Sequence, residues 1–531
     1  MAGRDPVGFT QRGLSGESPA GEGVSKTSDL RSGPLSMALV GPDLRYVSVG
    51  DLEIVRRVYM VVRDLEWRTI PAVVVDQKVE CRQRSFTVSM RIRNQAGDIE
   101  FEADLTIAGA EDGTIDYVMK ATALRDCEYT KIGLNIHHPL AGVRGRPWIG
   151  HRRGEEVRGL MPDLVAPQVE LPGTGVHLPM IPPVEELDID QDAGRLTFTF
   201  GGDLYETEDQ RNWADASYKT YSMPAEMGYR HRAVAGEEIT QRVRISFEPR
   251  HMSPSAKARR RTTRGSTSSG RLRLSATAVG KTPSLGLGLP VGGGAPTSSH
   301  LRELAPAHIR ADLWPGRAGW EEELESALSC CSEAGAGLEL ALHVGRDPRP
   351  ALAPIERMIR ERQVKLVRTA VLPIEEKVTS HAWVDFIRDV GVLEGAVGGG
   401  TEFDFVEVYR ALPGPGSFEF LSWAMNPQVH AFSDLDLVEN LDGQGEQLRA
   451  ARAAYPGCPL CVGPVTLRSR LGVGGESLVD GADPRQRTRF TAAWTVGSIR
   501  QMAAGGAESV TYFETDGDGG VMEGGWNRQR N

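Results

Sequence analysis

His308-Ile-Arg-Ala-Asp-Leu313, a helix-patterned stretch from Trp320 to Glu333, and then Leu338-Glu-Leu-Ala-Leu-His343 make one strand–helix–strand unit, and its repetition decides the fold. Short apolar runs of the same kind recur at Ser284–Leu289, Lys365–Val371, Leu393–Val397, Phe420–Met425, Pro459–Gly463 and Ser509–Phe513. Between them lie amphipathic stretches at Ala353–Glu361, Trp383–Val390, Leu435–Tyr455 and Phe490–Ala504. Eight strands alternating with helices fit a closed parallel barrel better than an open sheet, because each crossover helix covers the outside of the strands it joins.

The N-terminal half has a different period. Ser85-Phe-Thr-Val-Ser-Met-Arg-Ile92, Ile99-Glu-Phe-Glu-Ala-Asp-Leu-Thr-Ile107 and Arg195-Leu-Thr-Phe-Thr-Phe200 alternate apolar and polar residues, with turn signals at Asn94–Gly97 and Glu111–Gly113. Half-buried strands of this kind need a second sheet to cover their apolar face. The predicted architecture is therefore multidomain β plus α/β, an N-terminal antiparallel β-sandwich followed by a (β/α)8 TIM-like barrel. The boundaries expected are a disordered tail over 1–28, the sandwich over 29–249, a linker over 250–275, the barrel over 276–523 and a short tail over 524–531. The linker is basic and rich in Ser and Arg, and no aromatic residue interleaves with its charges to stack on bases.

Composition narrows the function classes. The chain has 531 residues, 40% hydrophobic and 25% charged, with a net charge of −10. That balance disfavours a nucleic-acid binder, whose phosphate affinity rests on clustered Lys and Arg. No apolar run is long enough to span a bilayer, and no secretory h-region follows Arg4. Six scattered cysteines do not make a disulfide framework, so a cytoplasmic protein is expected, with no membrane and no nucleic-acid partner. Cys458-Pro-Leu-Cys461 has redox or zinc spacing, but it lacks a second ligand pair and runs into Val462-Gly-Pro-Val465, as the start of a buried strand would. Neither a metal nor another cofactor is expected.

The densest chemistry lies in Glu206-Thr-Glu-Asp-Gln-Arg-Asn-Trp-Ala-Asp-Ala-Ser-Tyr-Lys-Thr-Tyr221. Charged loops are usually solvated, yet this mixture also suits a polar wall for a hydroxylated ligand. Glu208, Asp209, Arg211, Asn212, Asp215 and Lys219 are its candidate binding groups. In the barrel, polar residues recur at strand ends: Asp312, His343, Glu402, Asn426, Gln428, His430, Thr466, Glu514 and Thr515. Each alone is explained equally well by a cap or a loop hydrogen bond. Their recurrence at the C-terminal mouth, where such barrels build active sites, marks His343, Glu402 and Gln428 for substrate binding and Glu514, His430 and Asn426 for chemistry.

Glu208-Asp-Gln-Arg-Asn-Trp-Ala-Asp-Ala-Ser-Tyr-Lys-Thr-Tyr221 resembles the signature of the bacterial D-apionate lactonase family. So do Leu52–Tyr59, His138-Pro139, Val397–Thr401, Asn426-Pro-Gln-Val-His-Ala-Phe432, Pro464–Leu467, Asp483-Pro-Arg485 and Thr511–Thr515. The resemblance runs from about Leu30 to Glu523. It implies a sandwich, a barrel, a small C-terminal β domain that this chain is expected to lack, and hydrolysis of the branched lactone D-apionolactone to D-apionate in apiose catabolism. Thr515-Asp-Gly-Asp-Gly-Gly520 departs from the family pattern, which has an aromatic and a basic residue there.

Opening a lactone needs an activated water, stabilisation of the oxyanion and a proton for the departing alkoxide. The chain has neither a Gly-x-Ser-x-Gly elbow nor a His-Glu-x-x-His motif, which leaves carboxylate and histidine chemistry. Glu514 or His430 is the expected general base. Asn426, Gln428 or Lys219 would polarise the carbonyl, and Glu208, Asp209 and Asp215 would bind sugar hydroxyls. Two alternatives stand beside this: a glycoside hydrolase with a Glu402–Glu514 pair, and a carbohydrate-binding protein without turnover.

Overall fold

A computed structural model describes residues 27–170, 177–192, 194–250, 280–290, 300–345, 347–411, 418–430, 432–468 and 482–522. The expected N-terminal tail, apart from residues 27 and 28, lies outside them, as do the linker beyond Arg250 and the tail at 524–531. The chain divides into two compact units. One contains residues 18–210 and 217–278, and the other contains 211–216 and 279–531. The division therefore does not follow the linker alone: a six-residue excursion from the first half belongs to the second unit.

The first unit is built from an eight-stranded and a nine-stranded sheet, both antiparallel, with two small ribbons beside them. The alternation in the sequence is realised directly. Along Phe86–Ala96, Phe86, Val88, Met90 and Ile92 are buried while Thr87, Ser89, Arg91 and Arg93 are exposed, so one face of the strand packs inward. Gln241, on the nine-stranded sheet, joins the two layers. Its Oε1 accepts from Leu134 N at 2.9 Å and from the Tyr205 hydroxyl at 3.2 Å, and both donors lie on the eight-stranded sheet. Gly133 makes that approach possible. A Cβ there would lie 1.9 Å from Ser222 Oγ and 2.5 Å from Gln241 Oε1, at a φ of +156°.

The second unit contains eight parallel strands: Ser284–Gly288, His308–Leu313, Gly337–Val344, Leu366–Pro373, Ala396–Thr401, Leu421–Trp423, Cys461–Val465 and Ser509–Glu514. Numbered in chain order, they form a sheet in the order 6-5-4-3-2-1-8-7. Isolated parallel bridges Leu421–Leu460 and Met425–Val465 bring the sixth and seventh strands together and close the barrel. Expectation and structure agree on all eight strands, with two displaced; the seventh runs over Cys461–Val465 rather than Pro459–Gly463. The fifth runs over Ala396–Thr401 rather than Leu393–Val397, because Gly398, Gly399 and Gly400 continue it where neighbours leave no room for side chains. A Cβ on Gly400, at φ +146°, would lie 1.7 Å from the Ser422 carbonyl oxygen.

Helices Trp320–Ala334, Arg349–Glu361, His381–Val390 and Arg489–Gly505 lie where periodicity puts them. The single helix expected over Leu435–Tyr455 is instead two, Asp434–Glu439 and Leu441–Ala454, broken at Asn440. Short helices at His300–Leu304 and Phe405–Ala411 were not expected. Cys461 opens the seventh strand and is buried, and all six cysteines are free thiols. Among the described residues, no helix is long and apolar enough to cross a membrane.

Candidate active site

Buried parallel strands usually carry aliphatic side chains on both faces. Here several inward positions of three neighbouring strands carry polar or charged side chains. Alternation turns His308, Arg310 and Asp312 inward from the second strand, Glu339 and His343 from the third, and Arg368 from the fourth. Arg310 is the hub. Its side chain is 1% exposed, and it reaches Asp312 Oδ1 at 3.2 Å, Glu339 Oε1 at 3.4 Å, the Gly463 carbonyl at 3.2 Å and the carboxylate of Glu402, which follows the fifth strand. Burial works against its charge, but Glu402, Asp312 and Glu339 together raise its pKa. A guanidinium enclosed by three carboxylates stays protonated.

Below the hub, His308 Nε2 lies 2.8 Å from Thr511 Oγ1 and 3.2 Å from Glu339 Oε2, and Arg368 Nε lies 3.6 Å from the same carboxylate. Burial pulls the His308 pKa down, which favours neutral imidazole. Burial also opposes ionisation of Glu339, but His308, Arg368 and Arg310 outweigh it and hold the carboxyl below its ordinary value. Toward the mouth, His343 Nε2 meets Asp312 Oδ1 at 3.2 Å. The His343 ring stacks on Trp314 with centroids 3.9 Å apart and an 11° interplanar angle, which fixes its plane. One donor atom each from Asp312, His343 and Glu402 lie within 4.8 Å of one another.

Glu514 reaches the same interior through a backbone irregularity. Tyr512 pairs with Leu287, but Glu514 rather than Phe513 pairs with Gly288, so one residue is extra. Phe513 takes it up at φ +46°, a conformation that bulky L-residues avoid. Gly286 faces His308 on the inner side, and Gly288 shares that face. The bulge therefore turns Glu514 inward, where regular alternation would have turned it out. Its backbone N–H donates to the Gly519 carbonyl and its own carbonyl accepts from Val521 N. The unusual 516–520 loop thus folds back over this strand end.

The acidic signature divides between the two units. In the sandwich, Glu208 Oε1 pairs with Lys219 Nζ at 2.5 Å, and Asp209 Oδ2 accepts from Ala166 N at 2.9 Å. Lys131 Nζ sits 3.4 Å from the centre of the Tyr221 ring. Burial, and then the charge of Lys219, push its pKa down to about 7. Burial opposes the charge of Glu208, but Lys219 prevails and lowers its pKa.

The excursion over 211–216 lies with the barrel. Arg211 Nη1 pairs with Glu446 Oε2 at 2.9 Å with no exposure of the arginine side chain, and the Arg211 and Asn212 carbonyls accept from Gln447 Nε2. Asp215 Oδ2 lies 2.5 Å from His430 Nδ1, and Asp215 Oδ1 accepts from Asn440 Nδ2 at 2.6 Å. Trp213 stands edge-on to the His430 ring at 5.1 Å.

Asn426 and Gln428 brace the loop that carries His430. Asn426 Nδ2 reaches Asp404 Oδ1 at 3.4 Å, and Gln428 Nε2 donates to the Leu467 carbonyl and to Asp483 Oδ2. Arg485 closes the set, bonding Asp483, Gln428 Oε1 and the Phe432 carbonyl. Burial and then Glu407 push the Asp404 carboxyl up to about 7. Four groups deep in the barrel, His308, Arg310, Glu339 and Arg368, were not singled out in the sequence. Their signal was present as polar residues at alternate positions within otherwise apolar parallel strands.

Residues 18–250 match the family model described as D-apionate lactonase, N-terminal domain. Residues 293–530 match the model described as D-apionate lactonase, TIM barrel domain. A D-apionate lactonase from Brucella anthropi is 25% identical over 537 residues, which cover 95% of this chain and 85% of that protein. An alpha-galactosidase from Lactobacillus brevis aligns at a TM-score of 0.28 and 8% identity, covering 94% of this chain and 78% of its own. A galactose 1-epimerase from Lactobacillus acidophilus aligns at 0.28 and 8%, covering 43% and 99%. Alignments this loose carry no functional argument.

Proposed function

The chain belongs to the D-apionate lactonase family, and from that premise we propose that it hydrolyses a sugar lactone, D-apionolactone to D-apionate, at the C-terminal mouth of its barrel. The observation that carries the proposal is the 2.5 Å contact between His430 Nδ1 and Asp215 Oδ2. A carboxylate on Nδ1 holds the imidazole in the tautomer whose Nε2 accepts a proton, and it stabilises the imidazolium that forms. His430 then takes a proton from water as the water attacks the lactone carbonyl. The same proton is available for the departing ring oxygen.

In this scheme Asp215 orients the base instead of binding a sugar hydroxyl, and Asn426 and Gln428 hold the loop that carries it. Asp312 and Glu402, joined by Arg310, and His343 on Asp312 supply a polar wall at the barrel mouth. Glu514, turned inward by its bulge, is the second candidate for proton transfer. The test is proton release in a pH-stat by the purified chain with D-apionolactone and a panel of aldonolactones. Turnover of the branched lactone that is lost in His430→Ala supports the assignment. Undiminished turnover in that variant overturns it.

A further inference from the structure

We propose that Asp312, His343 and Glu402 bind a divalent first-row cation at the barrel mouth. The proposal deepens the lactone-hydrolase reading, and it rests on that reading only for what the ion does once bound. Three carboxylates, Asp312, Glu339 and Glu402, face two guanidinium groups, Arg310 and Arg368, while burial favours neutral His308.

Glu402 has one oxygen, Oε1, on Arg310, while its Oε2 is enclosed and has no hydrogen-bond partner among the described residues. The Glu402 side chain is only 8% exposed. A buried carboxylate oxygen without a partner calls for an ion or another ligand.

The spacing of one donor pair fits as well. Two donors each about 2.1 Å from one metal, at tetrahedral or octahedral angles, stand roughly 3.0–3.4 Å apart. His343 Nε2 and Asp312 Oδ1 are separated by 3.2 Å. As a simple hydrogen bond this pair needs a proton between the two atoms; with a cation the imidazole lone pair turns to the metal instead. One imidazole with two carboxylates suits Zn2+ or Mn2+, and three protein ligands leave positions open, as in catalytic centres. Trp314 stacked on His343 and Arg310 on both carboxylates are the outer contacts that hold such ligands in place. An ion held there polarises the lactone carbonyl oxygen that enters its open position.

The experiment is calorimetric titration of the chelator-treated full chain with Zn2+, and separately with Mn2+, in the absence of lactone, with circular dichroism confirming the fold. One saturable equivalent is expected, weakened about 100-fold or more in His343→Ala and Glu402→Gln. Should either variant unfold, the wild type loaded with Co2+ provides the second measurement: ligand-field absorption bands displaced by Zn2+ are expected. A folded wild type with no saturable site and no such bands overturns the proposal, and so does unchanged affinity in folded variants. Saturable binding without turnover of any lactone leaves the ion in place and removes the hydrolase reading. Turnover by a chain that binds no cation does the reverse.

Discussion

His430 Nδ1 and Asp215 Oδ2 lie 2.5 Å apart although 215 positions separate them in the chain. Asn440 takes the other oxygen of the same carboxylate, so Asp215 is held from two sides. Asp215→Asn keeps the shape but can present an amide N–H to Nδ1 and so favour the wrong tautomer. The expected result is a fall in kcat of about 100-fold or more, with KM little changed. Steady-state turnover of the lactone checks it, and wild-type kcat in Asp215→Asn removes the dyad from the mechanism.

Glu514 faces the interior only because Phe513 absorbs an extra residue. Deleting Phe513 restores regular alternation while leaving Glu514 opposite Gly288 and still facing inward. If Glu514 moves a proton, Glu514→Gln lowers turnover while the Phe513 deletion retains it in samples that remain folded. A Glu514→Gln variant with full activity shows that the bulge serves packing instead.

Asp404 supplies a pH test with a defined sign. Its carboxyl is pushed up to about 7 by burial and by Glu407, against about 3.9 in an unfolded chain. The folded state therefore binds the proton more tightly. The stability this confers is fully present below about pH 4 and is lost as pH rises through about 7. Asp404→Asn removes this contribution to the pH dependence. Thermal melts of both proteins from pH 5 to 8 should show the wild type losing Tm relative to the variant as pH rises, and parallel curves would contradict the assignment.

Arg310 is expected to be the most sensitive position in the barrel. Arg310→Met leaves Asp312, Glu339 and Glu402 facing one another without their hub, and a broken buried ion network costs about 3–5 kcal/mol. Urea unfolding measures the loss. A variant as stable as the wild type would mean that the carboxylates are compensated in some other way.

Gly133→Ala tests the contact between the sheets of the sandwich. The new methyl collides with Ser222 Oγ and Gln241 Oε1, and overpacking of this kind costs about 1–3 kcal/mol. Combining it with Ser222→Ala should recover part of the loss. Equal destabilisation with and without Ser222→Ala would place the strain elsewhere.

The barrel was legible because each strand is a short apolar run and each crossover helix carries its own period. The same apolar counting hid its ionic interior. Arg310 and Glu339 sit inside runs that read as hydrophobic, and only their alternate spacing with Asp312 and His343 betrays a shared inner face. The break at Asn440 was illegible for another reason. Asn440 bonds Asp215 and the Pro427 carbonyl, distant partners that no local pattern reveals. The signature at 206–221 looked like one binding wall. It divides because strand Tyr205–Asp209 and strand Ser217–Ser222 pair with each other in the sandwich, while the turn joining them finds its partners on helix Leu441–Ala454 and His430.

That turn has a consequence for how the protein can be cut. Residues 211–216 pack with Gly443, where a Cβ would lie 2.1 Å from the Ala214 carbonyl oxygen. Severing the chain in the basic linker would separate the barrel from six residues that pack on its helix Leu441–Ala454 and from the carboxylate that meets His430. The two halves are thus not interchangeable cassettes. Grafting this barrel behind a foreign sandwich would require transplanting a loop from the middle of the discarded half, and directed recombination at the linker should yield inactive chimaeras unless both halves come from the same parent.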